Sequence, residues 1–161
     1  MRILKAVAAA MLTLSPISVQ AAATCEQFKA AIVEGAAQYQ ASVPKFRLDG
    51  VNSADADRQF WTIITFDDVR AAMSCWHGSV ETFMADANDS EIRSSLHLRV
   101  LMAIGLHGWG MEWRPALEMR DQLVRMANAS DAQTASLHVE GGEASLVISI
   151  AGVPSFQIDT K

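Results

Sequence analysis

The spacing of apolar and polar positions changes several times along the chain, and each change marks an element. Thr24 followed by Gln27 has the spacing of a capping box. Behind it Phe28, Ile32, Gly35 and Tyr39 recur at helical intervals, which predicts a helix from Cys25 to about Gln40. Val43-Pro44 ends it, because the residue before a proline is driven out of the α region. Phe46 and Leu48 then alternate with Arg47 in a short strand closed by Asp49-Gly50, and the polar residues 52–58 read as a loop.

Pairing residues across assumed two-residue turns tests the next stretch. A turn at Asp67-Asp68 sets Phe66 against Val69, Ile64 against Ala71, Thr62 against Met73 and Phe60 against Cys75. A turn at His77-Gly78 sets Cys75 against Val80 and Met73 against Thr82. The result is a three-stranded meander with these residues on one face. The other face carries Trp61, Ile63, Ala72, Trp76 and Phe83 beside Arg70 and Glu81. So apolar a surface calls for a cover, either the helices that follow or a partner. The competing reading is a helix over residues 69–76, since Val69, Ala72, Met73 and Trp76 also fit that period.

From Ser90 to about Leu106 the chain is helical in period and apolar nearly all round, with Ile92, Leu96, Leu98, Val100, Leu101, Met102 and Ile104. Such a helix is normally buried. Asp89 or Ser90 can cap it. Pro115 suits the first turn of a second helix whose stripe is Ala116, Met119, Leu123 and Met126, with Asp121 and Arg125 placed to pair on its surface. Gly141-Gly142 between alternating runs signals a hairpin that sets Leu137 against Leu146, Val139 against Ala144 and Ala135 against Ile148. Phe156 and Ile158 alternate in a tail that reads as an edge strand. The elements add up to one α+β domain over residues 24–161: an antiparallel sheet of about five or six strands, an N-terminal helix and a two-helix insertion.

The N-terminus follows a different logic. Arg2 and Lys5 precede an apolar run from Ala6 to about Val19, and Ala21-Ala22-Ala23 supplies the small residues of a cleavage site. Residues 1–23 are read as an export signal cut after Ala23, with Ala21 as the second choice. The rival membrane anchor suffers from Pro16 and from a run shorter than the roughly 20 residues of a span. A lipid on Cys25 would follow Thr24 and Ala22, which are poor neighbours for it. The expected location is periplasmic or secreted, with no membrane span once the signal is gone.

Composition then narrows the function. Half of the 161 residues are apolar and 19% are charged, which excludes a disordered chain. Of 13 Lys and Arg, Arg2 and Lys5 leave with the signal, so 11 face 18 acids and the mature charge is −7. Nucleic acid is an unsuitable partner for that charge. Cys25 and Cys75, the only cysteines, suit one disulfide in an oxidising compartment, closing a loop of roughly 50 residues.

Catalytic patterns are scarce. His77, His97, His107 and His138 have no i, i+4 pairing, so neither a metal nor any other cofactor is expected. Asp86 opens an acidic loop, yet the sixth and twelfth positions counted from it are Glu91 and His97, not the Gly and Glu of an EF-hand. No G-x-S-x-G or S-x-x-K occurs. The segment from Gly105 to Arg114 is the most unusual, joining three glycines, His107, Trp109 and Trp113. It reads as a tight helix link, or as a loop that presents its tryptophans to a partner. These features suggest a non-catalytic exported binding or accessory module of the cell envelope. Its partner would be another envelope protein or a second copy, met through Trp61, Trp76, His107, Trp109 and Trp113. The alternatives are a small exported hydrolase with a scattered active site and a small-ligand carrier.

Overall fold

The computed structural model describes residues 23–161 apart from Ser53. The export signal assigned to residues 1–23 therefore lies, except for Ala23, outside the described residues. These contain three helices, α1 (Cys25–Gln38), α2 (Ile92–Gly108) and α3 (Trp113–Ala129). The strands are β1 (Lys45–Asn52), β2 (Asp55–Ile64), β3 (Val69–Trp76), β4 (Ser79–Ala87), β5 (Thr134–Val139), β6 (Gly142–Ile148) and β7 (Pro154–Thr160). The strands form one sheet in the order β1-β2-β3-β4-β7-β6-β5, antiparallel throughout. The protein is α+β, and no helix among the described residues is long and apolar enough to cross a membrane.

β1 and β2 are longer than expected because two stretches read as irregular are extended. Asp49-Gly50 does not close β1. It forms a bulge between Leu48 and Gly50 while Asp49 reaches across to the Thr62 hydroxyl. Most of the polar stretch 52–58 belongs to β2. The tail is also not an edge. As β7 it lies between β4 and β6, joining the meander to the hairpin, and both Phe156 and Ile158 are fully buried there.

Register decides which side chains meet. The link between β2 and β3 takes one more residue than a two-residue turn, so Trp61 opposes Met73 and Ile63 opposes Ala71. The His77-Gly78 turn does pair Cys75 with Val80, but a bulge after Ser74 then sets Met73 against Phe83. One continuous inner row runs Leu48, Trp61, Met73, Phe83, Ile158, Ala144 and Leu137. Because side chains alternate with a period of two, these one-residue slips turn Trp61, Ile63 and Phe83 inward and Phe60 and Ile64 outward, the reverse of the expected faces. In the hairpin, Leu137 opposes Ala144 and Ala135 opposes Leu146, two residues from expectation. An even slip keeps the same face inside.

All three helices pack on the inner face, with α2 against β3, β4 and β7, and α3 against β5 and β6. The helical pair thus joins α1 on the inner face instead of covering the outer one. The capping box of α1 forms as expected, with Gln27 N–H donating to Thr24 Oγ1 and Thr24 N–H donating to Gln27 Oε1. In α2, Leu98 through Leu106 includes the most buried side chains of the fold, whereas Ile92 and Leu96 at its start are exposed. On α3 the buried stripe continues from Leu123 to Ala127, leaving Met126 exposed, and Asp121 pairs with Arg120 and not with Arg125.

Close approach of α2 to the sheet needs glycine. A Cβ on Gly105 would lie 2.3 Å from the Phe83 ring, and one on Gly108 would lie 2.9 Å from Phe28. At the same end of α1, a Cys25–Cys75 disulfide and two backbone bonds fasten the helix start to the β3–β4 hairpin: Cys25 N–H to Gly78 O (2.9 Å) and Val80 N–H to Ala23 O (3.1 Å).

Two outcomes follow from this packing. Gly105→Ala should cost about 1–3 kcal/mol, because neither the Phe83 ring nor the helix backbone can yield without loss elsewhere. Chemical denaturation of the variant checks it; an unchanged midpoint would show that the layer is loosely packed. Replacing both cysteines by alanine should cost about 4 kcal/mol, the chain-entropy value for the 50-residue separation. The comparison is with the oxidised protein under the same denaturant series.

Candidate binding surface

The outer face of the sheet carries no helix, and its composition changes from one side to the other. One row across it runs Arg47, Thr62, Ala72, Met84, Gln157, Ser145 and Ser136. The next runs Phe60, Ser74, Thr82, Asp159, Glu143 and His138. On β5, β6 and β7 the outward residues are mainly polar and held by their own contacts. Thr82 donates to Asp159 (2.9 Å), Ser155 to Asp86 and Gln157 to Asp159 (2.6 Å). Lys161 pairs with Glu143, and this hydrogen bond, with that from Ser136, holds the pKa of the Glu143 carboxyl below its ordinary value.

On β2, β3 and β4 the same face also carries exposed apolar side chains. Phe60 is 44% exposed, Ile64 45%, Met84 36% and Trp76 43%, with Ala72 half-buried among them. Shallow grooves of about 630 and 230 Å³ flank Ala72 and Met84, one bordered by Ile64 and Arg70, the other by Phe60 and Ser74. Much of the charge at the rim is internally matched. Arg58 donates to Glu81 (2.6 Å), which also accepts from Ser74, and the Arg58 guanidinium lies 5.3 Å from the centre of the Trp76 ring. Trp76 Nε1–H donates to Asp55 (2.7 Å). Asp49 accepts from Thr62 and from Arg47, and those two bonds, in that order, hold its carboxyl below the ordinary range. An apolar centre with a polar, hydrogen-bonded rim is the anatomy of a protein contact surface.

The five residues singled out from sequence do not lie together. Trp76 is on the outer face. Trp61 is on the inner face at the margin of the helical layer, where the Lys29 ammonium sits 3.5 Å from its ring centre. Trp109 is buried, edge-on to Phe28, with Nε1–H donating to the Glu140 carbonyl (3.2 Å). Trp113 stacks on His107 with ring centres 4.1 Å apart. His107 Nδ1 lies 2.7 Å from the Met111 carbonyl, which can only accept, so that nitrogen carries the proton and Nε2 is the acceptor of the neutral ring. The residues missed by sequence reasoning are Phe60, Ile64 and Met84. Their signal was the alternation itself, read one residue out of step.

A cavity of about 540 Å³ opens behind the sheet margin, between Thr24 and Gln27 of the α1 start, His107 at the end of α2, Trp109 just after it, and Glu140 of the β5–β6 turn. His77 and His97 serve local structure. His77 lies 3.2 Å from the Asp57 carboxylate. His97 contacts Asp68 (2.6 Å) and stacks on Phe66 with ring centres 4.1 Å apart. Among the described residues these histidine contacts run to carboxylates and to a backbone carbonyl, not to a serine hydroxyl.

Asp68 fastens the β2–β3 loop to α2 through His97 and Arg93. Burial opposes its ionisation, but the hydrogen bond to His97, the local backbone and the charges of His97 and Arg93 together outweigh that, and its proton is lost below the ordinary value of 3.8. Comparison with family models, with curated proteins and with solved structures finds no match to the chain.

The Asp68 contact fixes a pH dependence. A carboxyl that ionises more easily when folded adds stability above pH 3.8, and this contribution disappears as the pH falls through its lowered folded value. Asp68→Asn should therefore lower the melting temperature at pH 7 and have a much smaller effect near pH 2. Parallel melting curves for wild type and variant across that range check this, and a difference of the same size at pH 7 and pH 2 would remove Asp68 from the account.

Proposed function

We propose that the protein is a non-catalytic binding module of the cell envelope, exported by residues 1–23, that holds another envelope protein on its uncovered sheet face. The observation that carries this reading is the division of that face: Phe60, Ile64, Ala72 and Met84 are apolar and lie together on β2–β4, while β5–β7 on the same side are mainly polar, Val147 apart. A general need for solubility would favour polar residues along the whole face, whereas a contact surface needs apolar ones in one place. The matched ion pairs at its rim support the same reading, since they leave little charge to be stripped of water when a partner docks. The intramolecular disulfide is compatible with an oxidising compartment outside the cytosol.

A small-ligand carrier is the second reading, and the 540 Å³ cavity beside His107 and Trp109 favours it, being within the size range of small-molecule sites. In that case the ligand would shield Trp109 and not Trp76.

Substituting Phe60, Ile64 and Met84 together by serine separates the two readings. These side chains are exposed, so the melting temperature should change little. Cross-linking in the intact envelope should capture a defined partner with the wild type. The triple variant should lose at least about thirtyfold in affinity for that purified partner, the scale of an interface hot spot. Equal binding by both would overturn the reading; capture of a second copy alone would replace the envelope partner by self-association.

A further inference from the structure

We infer that export processing cuts the Ala21–Ala22 bond, so that the mature chain begins at Ala22; this rests on the export reading of residues 1–23. Small residues suit a cut after Ala23 as well as one after Ala21, and sequence alone puts Ala23 first. The fold reverses that order, because Ala23 is already part of it.

Thr24 and Ser79 form an antiparallel bridge between the start of α1 and the start of β4. Its two bonds are Cys25 N–H to Gly78 O (2.9 Å) and Val80 N–H to Ala23 O (3.1 Å). Val80 is 2% exposed and packs in the core beside the Cys25–Cys75 bridge. With Ala23 in place little water reaches this residue, and its amide is satisfied by the Ala23 carbonyl. Ala23 itself is half-buried and lines the 540 Å³ cavity with Thr24 and Gln27.

The two cuts have different products. In each, water adds across one amide: the residue before the bond leaves with a new carboxylate and the residue after it gains an α-ammonium. A cut after Ala23 removes the Ala23 carbonyl with the signal, so the Val80 N–H loses its acceptor and one of the two bonds between the start of α1 and β4 is lost. It also places the new positive charge on the Thr24 nitrogen, inside the bridge. A cut after Ala21 keeps both backbone bonds and the capping box, and it moves the charge two residues away. Ala21 then occupies the position before the cut, and the short aliphatic Val19 the third position before it.

The test uses the full chain exported from its own signal, as wild type and as Ala23→Leu, with the N-terminus read by intact mass and terminal sequencing. In a cut after Ala21, position 23 lies beyond the bond and its side chain is not read, so both proteins should begin at Ala22. A wild-type N-terminus at Thr24, or failure of Ala23→Leu to be processed, would overturn the assigned bond while leaving export intact. Retention of Met1 in the wild type would overturn export and this inference together. Should Ala23→Leu not accumulate, the wild-type mass decides alone. Amide exchange gives an independent readout in the mature protein: Val80 should be protected to the level of the neighbouring β4 amides, and rapid exchange at Val80 would show that the Ala23 bond is not retained.

Discussion

Phe83 is where the layers of the protein meet. It extends from the middle of β4 onto α2, with its ring 5.3 Å from that of Phe28 on α1 and 6.3 Å from that of Phe156 on β7. Gly105 lets α2 settle directly against it, since any side chain there would occupy the ring's space. Once α2 is seated this closely, α1 and α3 have only its two flanks to pack on, and the whole helical layer is committed to one side of the sheet. The uncovered outer face is thus a consequence of the closeness of one helix. The disulfide and the bridge at Ala23 add to this by fixing where α1 starts, not how it packs.

Much of this arrangement was legible from local chemistry. The capping box, the hairpin turns at His77-Gly78 and near Gly141, the buried second helix and the Cys25–Cys75 pairing each rest on a few neighbouring residues or on a compartment argument. Register is different, because it depends on how many residues a loop takes and on whether a strand bulges. The β2–β3 loop and the bulge after Ser74 each moved one strand by a single residue, which was enough to exchange the two faces. The β5–β6 hairpin was misjudged by two residues, and its buried side was still correctly named.

The candidate surface inherits that sensitivity. Trp61, Ile63 and Phe83 have the size and character expected of a docking patch, yet the slip turns all three toward the helices, and the smaller set of Phe60, Ile64 and Met84 takes the outer side. The tryptophans of the α2–α3 link look prominent in sequence because they are concentrated there. In the fold Trp109 fills the corner between Phe28 and the β5–β6 turn, and Trp113 backs the His107 ring. Nothing in the spacing of these residues distinguishes a packed aromatic from a presented one; only the sheet they lie against does.

The bulge in β1 has one more effect. β1 is an outermost strand, and a flat outermost strand invites the same strand of another molecule to add to the sheet without limit. Between Leu48 and Gly50 the regular ladder is interrupted, while Lys45, Arg47 and Asp49 place charges of both signs along the strand. A second interruption follows between Val51 and Asn52. An incoming strand would meet an uneven row of donors and acceptors and would have to bury charge to align with it. The protein can therefore keep an apolar field on its outer face while its margin resists fibrous growth.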